Sequence, residues 1–298
     1  MNGAYLLSQI ANGLILGSMY ALIAIGFSMI YGIVRLINFA HGDIFTIGAF
    51  ATLASIAVIQ APFPVVLAIV LVVGAAVGLL IERAAFRPMR GAPQVTGFIA
   101  SLAVSIIIEN LAVLTVSAQP RTFAVPPYLN QLVPLGALNV RMIDIAIVVL
   151  AIVLMIALVL FVRFTKIGVA MRATAENYDV ARLMGININR MISVAFAIGS
   201  ALAAVAGLMW GTKYGQISPL MGVLPGLKAF VAAVIGGVGS ITGAVLGGYL
   251  LGMAEVLFVG LLPPEFSGYR NAFVFGALIL VLLVMPNGIL GRSTEQRA

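Results

Sequence analysis

Apolar residues in this chain run in blocks of about twenty, the length a helix needs to cross the roughly 30 Å hydrocarbon core of a bilayer. Clusters of Arg, Pro and Gly separate the blocks. Six blocks are continuous, at about 5 to 30, 42 to 60, 64 to 81, 95 to 117, 143 to 162 and 191 to 211. From Leu227 to Leu262 the apolar run is broken by Gly236, Gly237, Gly239 and Gly243. It predicts either one long kinked helix or two short elements meeting at a turn. A last block, from about Asn271 to Met285, stops at Pro286. The ten-residue alternation of a membrane β-barrel is absent, so the pattern predicts helices.

Charge sets the expected orientation, because cytoplasmic loops carry the excess of Lys and Arg. With Leu227 to Leu262 crossing twice, one side holds Arg35, Arg83, Arg87, Arg90, Arg163, Lys166, Arg172, Arg182, Arg190, Arg292 and Arg297. Arg121, Arg141, Lys213, Lys228 and Arg270 fall on the other. A single crossing gives a weaker bias. The expectation is an all-α polytopic membrane protein of about eight spans, N-terminus outside and C-terminus cytoplasmic. The first of the two glycine-broken passes could re-enter instead of crossing, which is tolerated where protein surrounds the backbone. No Lys or Arg precedes the first block, so it is expected to stay as a span and not to be removed as a signal. The outer connection 118 to 142 holds Pro120, Pro126, Pro127, Pro134 and Gly136 and should be irregular, with one short element lying on the bundle. Nothing reads as a linker, so residues 1–298 form one expected transmembrane domain with a cytoplasmic loop at 163–190.

Composition agrees: 62% of the 298 residues are hydrophobic and 8% charged, against about 25% charged in soluble domains. The net charge of +7 belongs to topology, and no nucleic-acid partner is implied. With no cysteine and one histidine, Cys/His metal sites and thiol nucleophiles are excluded. No cofactor is implied. Ser240 lacks a nearby base, Asp43 and Asp144 fall at opposite faces, and no GxxxxGK[ST] loop exists. The chain is therefore not expected to be an enzyme, and any ATP hydrolysis belongs to another chain.

Charged side chains inside spans cost roughly 2.5–3.5 kcal/mol on insertion scales and need a reason to be there. Glu109 follows Ser101 and Ser105 at helical spacing, a polar stripe that must face protein or water. Glu255 continues a face of Gly243, Gly247, Gly248 and Gly252 suited to close helix packing. Each carboxylate reads either as a pathway group or as a structural anchor. Asn12, Ser18 and Tyr20 in the first block, and Asn38 before the second, are further candidates for the pathway or the bundle interior. His41 beside Asp43 reads either as a pH-sensitive group or, as its place at a span end favours, as part of the polar cap of the second helix.

The loop is charged and free of proline. Asn177 suits an N-cap, Asp179 a first turn and Gly185 the left-handed position that ends a helix, which predicts about two turns between them. Ala170, Thr174, Tyr178, Ala181 and Gly185 form a small stripe on which a partner could dock. The alternative is a solvated connector whose arginines set topology.

Asp179-Val180-Ala181-x-x-x-Gly185 resembles the EAA-x-x-x-G loop of ABC importer permeases, whose short helices dock in a cleft of the ATPase; it departs at two of the first positions and lacks the later Ile-x-Leu-Pro. With Gly13 to Leu22, Asn38-Phe39-Ala40-His41-Gly42 and Gly226 to Gly237 through Ala244, the chain resembles the shorter permease subunit of branched-chain amino acid ABC importers over nearly its full length. The resemblance implies a bacterial inner-membrane importer with two cytoplasmic ATP-binding subunits, a second related permease chain and an external substrate-binding protein, moving substrate by alternating access. It also implies an ATPase-coupling role for Arg172, Glu176, Asn177, Asp179, Ala181 and Gly185. Urea and short-chain amide importers use similar permeases. A proton-coupled secondary transporter working through Glu109, Glu255 and His41 is the rival class.

Overall fold

The computed structural model describes residues 3–122, 125–136 and 138–291; Arg292 and Arg297, used above to assign sides, lie outside them. The membrane helices are α1 (Gly3–Val34), α2 (His41–Ala57), α3 (Phe63–Ile81, continued by a π-helical turn Glu82–Phe86), α4 (Gln94–Val116) and α5 (Met142–Phe164). Two short helices follow, α6 (Lys166–Glu176) and α7 (Tyr178–Leu183), and then α8 (Ile188–Tyr214), α9 (Val223–Gly236), α10 (Ile241–Leu261) and α11 (Arg270–Val284). Among the described residues seven helices are long and apolar enough to span, while α2 and α9 are shorter apolar helices.

Together these make nine apolar helical segments among the described residues, beside the about eight spans expected. The glycine-broken stretch is two helices. Gly237 (φ 107°) and Gly239 (φ 85°) make the turn in a conformation that favours glycine, and Ser240 Oγ caps α10 by accepting from Gly243 N at 3.1 Å. The segment after α11 returns to close this corner, with Ile289 N and Leu290 N donating to the carbonyls of Ile235 and Gly236.

Lipid gives no hydrophobic drive for helices to associate, so close backbone packing must supply it. α1 is the central helix, its apolar window 94% buried, against 6% for peripheral α4 and α11. It pairs antiparallel with α10. A Cβ on Gly17 would come 2.9 Å from Tyr249 Cα, and Gly248 and Gly252 meet Ala21 and Gly17 from the other side. Ser18 Oγ reaches Tyr249 OH at 3.0 Å and ties the same seam. On the opposite flank α8 packs on α2 and α3, where Gly74 and Gly78 admit Ala204 and Ser200.

The connection 118 to 142 is more regular than expected. It contains a 3₁₀ turn (Pro127–Asn130) and the antiparallel pair β2 (Leu132–Leu135) with β3 (Leu138–Arg141), and its β1 (Arg121–Thr122) pairs antiparallel with β4 (Gln216–Ile217) from the connection between α8 and α9. These pairings satisfy backbone groups that a proline-rich segment cannot place in a helix.

Candidate functional site

α1 ends at Val34, and Arg35, in the left-handed region at φ 56°, turns the chain back into the bundle. The returning strand is held by α4, where Ser101 Oγ accepts from Phe39 N at 3.3 Å. α2 begins at His41, deep beside α1. His41 Nε2 donates to the Ile23 carbonyl at 3.2 Å, roughly 16 Å along α1 from Val34 at 1.5 Å per residue. α9 also begins there. A Cβ on Gly42 would lie 2.6 Å from the Gly222 carbonyl oxygen, and one on Gly226 would lie 2.7 Å from Gly42 Cα. Only glycine lets the two helix starts meet backbone to backbone.

Beside this junction lies a cavity of about 270 Å³. α1 contributes Phe27, the returning strand Asn38 and Phe39, and α2 His41, Gly42 and Asp43. α4 contributes Leu102, Ser105, Ile106 and Glu109, and α9 Val223, Gly226, Leu227 and Phe230. No Lys or Arg lines it. Asn38, His41 and Asp43 are each 2% exposed. Both amide atoms of Asn38, the His41 Nδ1 and the Asp43 Oδ2 lack hydrogen-bond partners in the protein. A buried polar group left unpaired costs about 1–3 kcal/mol, and a polar guest in the cavity would satisfy these atoms.

Three of the sequence candidates, Asn38, Ser105 and Glu109, meet in the cavity. His41 and Asp43 belong with them. His41, expected to help cap α2, is turned to Ile23, and α2 has no side-chain cap. The readable signal was a His and an Asp two residues apart at the start of an apolar block.

Tyr20 and Glu255 form a separate cluster. Glu255 Oε1 lies 2.7 Å from Lys228 Nζ and 3.1 Å from Arg270 Nε, and Oε2 accepts from Tyr20 OH at 3.0 Å. Lys228 is corrected from a loop charge to a buried partner, 3% exposed. Asn12 is exposed on α1 and shares with Glu255, Arg270 and Lys213 a second pocket of about 380 Å³. Lys213 and Arg141 both pair with Asp144. Sequence reasoning passed over Glu82, wholly buried, which binds Arg90 and accepts from Ser193 Oγ at 3.0 Å.

In the loop, Asn177 Oδ1 caps α7 by accepting from Asp179 N at 2.9 Å and Val180 N at 3.1 Å. Gly185 follows the helix at φ 79° with open space around it. α6 is capped by Thr165 and ends at exposed Glu176; Arg172, also exposed, donates to the Arg163 carbonyl at 3.3 Å. Tyr178 OH donates to the Ile33 carbonyl and anchors α7 to the end of α1. Burial raises its phenol above the ordinary value. Of the expected docking stripe, Thr174 (0%) and Ala181 (2%) pack inward, while Tyr178 and Gly185 are exposed. An apolar patch faces outward, Val180 at 55%, Leu183 at 86% and Met184 at 77% exposure, beside exposed Asp179 and Arg182.

Comparison with known proteins gives this arrangement its setting. The family described as branched-chain amino acid transport system / permease component matches residues 9–283. The high-affinity branched-chain amino acid transport system permease protein LivH of Escherichia coli K12 is 42% identical, over 98% of each chain. BraD of Pseudomonas aeruginosa, a permease protein of a system described in the same words, is 40% identical over 98% of this chain and 97% of its own. A probable LivH of Methanocaldococcus jannaschii is 30% identical over 93% and 90%. A chain matched from end to end in this way, and folded as a multi-pass helical bundle, belongs to the family of branched-chain amino acid transport permeases.

Proposed function

We propose that this chain is the permease subunit of an ATP-driven importer of branched-chain amino acids in the bacterial inner membrane. It works with two cytoplasmic ATP-binding subunits, a second related permease chain and an external substrate-binding protein. The whole chain acts as one permease domain, loop 163–190 included, and ATP is hydrolysed on a separate subunit. The observation that carries the reading is the bond from Tyr178 to the end of α1. It joins an exposed apolar helix to the helix that lends Phe27 to the cavity. On this reading the α1 end and α7 face the cytoplasm, and an ATPase that grips Val180, Leu183 and Met184 moves α1 as it closes. Rocking of α1 against the α2–α9 junction then changes the side from which the cavity opens, the alternating access of rigid elements about a fixed site.

Reconstitution tests this. The chain is placed in liposomes alone under a proton gradient, and again with the two ATP-binding subunits, the second permease chain and the binding protein. Leucine, isoleucine and valine should accumulate only in the complete set, and only with ATP. Uptake by the chain alone under the proton gradient overturns the reading in favour of a secondary transporter.

A further inference from the structure

We infer that the cavity at the α2–α9 junction binds the ammonium group of an aliphatic amino acid among Asp43, Glu109, Asn38 and His41, with the aliphatic chain against Phe27 and Phe230. The inference rests on the importer reading and adds where this chain holds its substrate and which pole it recognises.

The lining decides the sign of the guest. It has two carboxylates and no cationic side chain, which in a low-dielectric wall favours a cation. A helix start can bind an anion, but here it is spent: the amides of His41, Gly42 and Asp43 donate to the carbonyls of Asn38, Phe39 and Ala40. The unpartnered atoms are mostly acceptors. His41 uses Nε2 as its donor, so Nδ1 carries a lone pair. With Asn38 Oδ1 and Asp43 Oδ2 it makes three buried acceptors, matching the three N–H donors of an ammonium. The Asn38 Nδ2 donor remains for the substrate's carboxylate. A metal fits poorly, since among the described residues no three His, Cys, Asp or Glu converge on a metal position. The remaining wall is apolar, with Phe27 and Phe230 edge to face at 5.4 Å.

The absence of native cysteine supplies the test. Ser105→Cys is placed in the complete reconstituted transporter, and modification of this chain by a cationic (aminoethyl) or anionic (sulfonatoethyl) methanethiosulfonate is followed by mass. The cationic reagent should react ~10-fold faster or more, a field effect of acidic walls, and Glu109→Gln should reduce that preference. Leucine and isoamylamine should protect the thiol, and 4-methylpentanoate, which lacks the ammonium, should not. Equal rates for the two reagents, no protection by leucine, or equal protection by 4-methylpentanoate overturns the inference. Should Ser105→Cys fail to assemble, Leu102→Cys on the same wall is read by the same criteria. ATP-driven leucine uptake by the wild-type complex is measured alongside. Uptake without protection overturns the site alone, whereas an assembled wild-type complex that imports no branched-chain amino acid overturns the importer reading.

Discussion

Lys228 Nζ lies 2.7 Å from Glu255 Oε1 across the α9–α10 interface, with both side chains at most 4% exposed. A buried pair of this kind adds little net stability, because desolvation offsets the attraction, yet removing one partner strands the other at a cost of about 3–5 kcal/mol. Glu255→Leu should therefore lower the thermal stability of the detergent-solubilised protein sharply. Glu255→Gln should cost less, since it can still accept from Tyr20. Lys228→Met combined with Glu255→Leu should recover much of the loss. A double variant that loses the sum of the two single effects would show that the pair is not coupled.

The α1–α10 seam makes a contrasting prediction about space. A side chain on Gly17 meets Tyr249 backbone at 2.9 Å, whereas a side chain on Gly276 of α11 meets nothing within 4 Å. Gly17→Val forces two packed helices apart and should cut the yield of folded protein, as overpacking by about 1–3 kcal/mol does. Gly276→Val should give wild-type yield. Matching yields by size-exclusion chromatography would remove the seam from the account of how the bundle is held.

Much of the architecture was legible because a membrane helix announces itself by length and composition alone. The corner at Gly236 to Gly243 was legible as one of two readings, since clustered glycines permit either a kink or the positive φ that a tight turn needs. What periodicity could not show is depth. The residues around His41 read as the boundary of a span, because a polar run after an apolar block normally means water. Here Arg35 folds that run back into the protein, and Ser101 holds it there. Asn38, Ser105 and Glu109 were each visible as costly polar residues, but their meeting with His41 and Asp43 depends on how α4 lies on the α2 start, a tertiary fact. Sidedness of the loop helix failed for a related reason. Small residues pack against either a partner or the chain's own bundle, and Ala181 packs inward.

Two substitutions at Gly185 separate backbone from side-chain requirements. At φ 79° a β-branched residue is strained by about 1–3 kcal/mol, whereas asparagine tolerates the left-handed region. Gly185→Val should weaken co-purification of the ATP-binding subunits and reduce uptake, and Gly185→Asn should do neither. Equal behaviour of the two would mean that this turn does not position α7.

The inward turn of Ala181 also changes which residues should touch the ATPase. Val180, Leu183 and Met184 stand out from α7 as an apolar patch, and an aqueous surface keeps such a patch mainly where a partner covers it. Leu183→Asp places a charge at a site 86% exposed, so the isolated permease should keep its thermal stability, since exposed substitutions away from special features shift it by no more than about 0.5 kcal/mol. The complex should suffer instead, with co-purification of the ATP-binding subunits lost and ATP-driven uptake abolished. Ala181→Arg should behave differently. Its side chain has no room against the bundle, so it should expose α7 to limited proteolysis even in the isolated chain, before any partner is added. If Leu183→Asp leaves the complex intact while Met184→Asp does the same, the outward face of α7 is not where the ATPase binds, and the grip must fall elsewhere on the 163–190 loop.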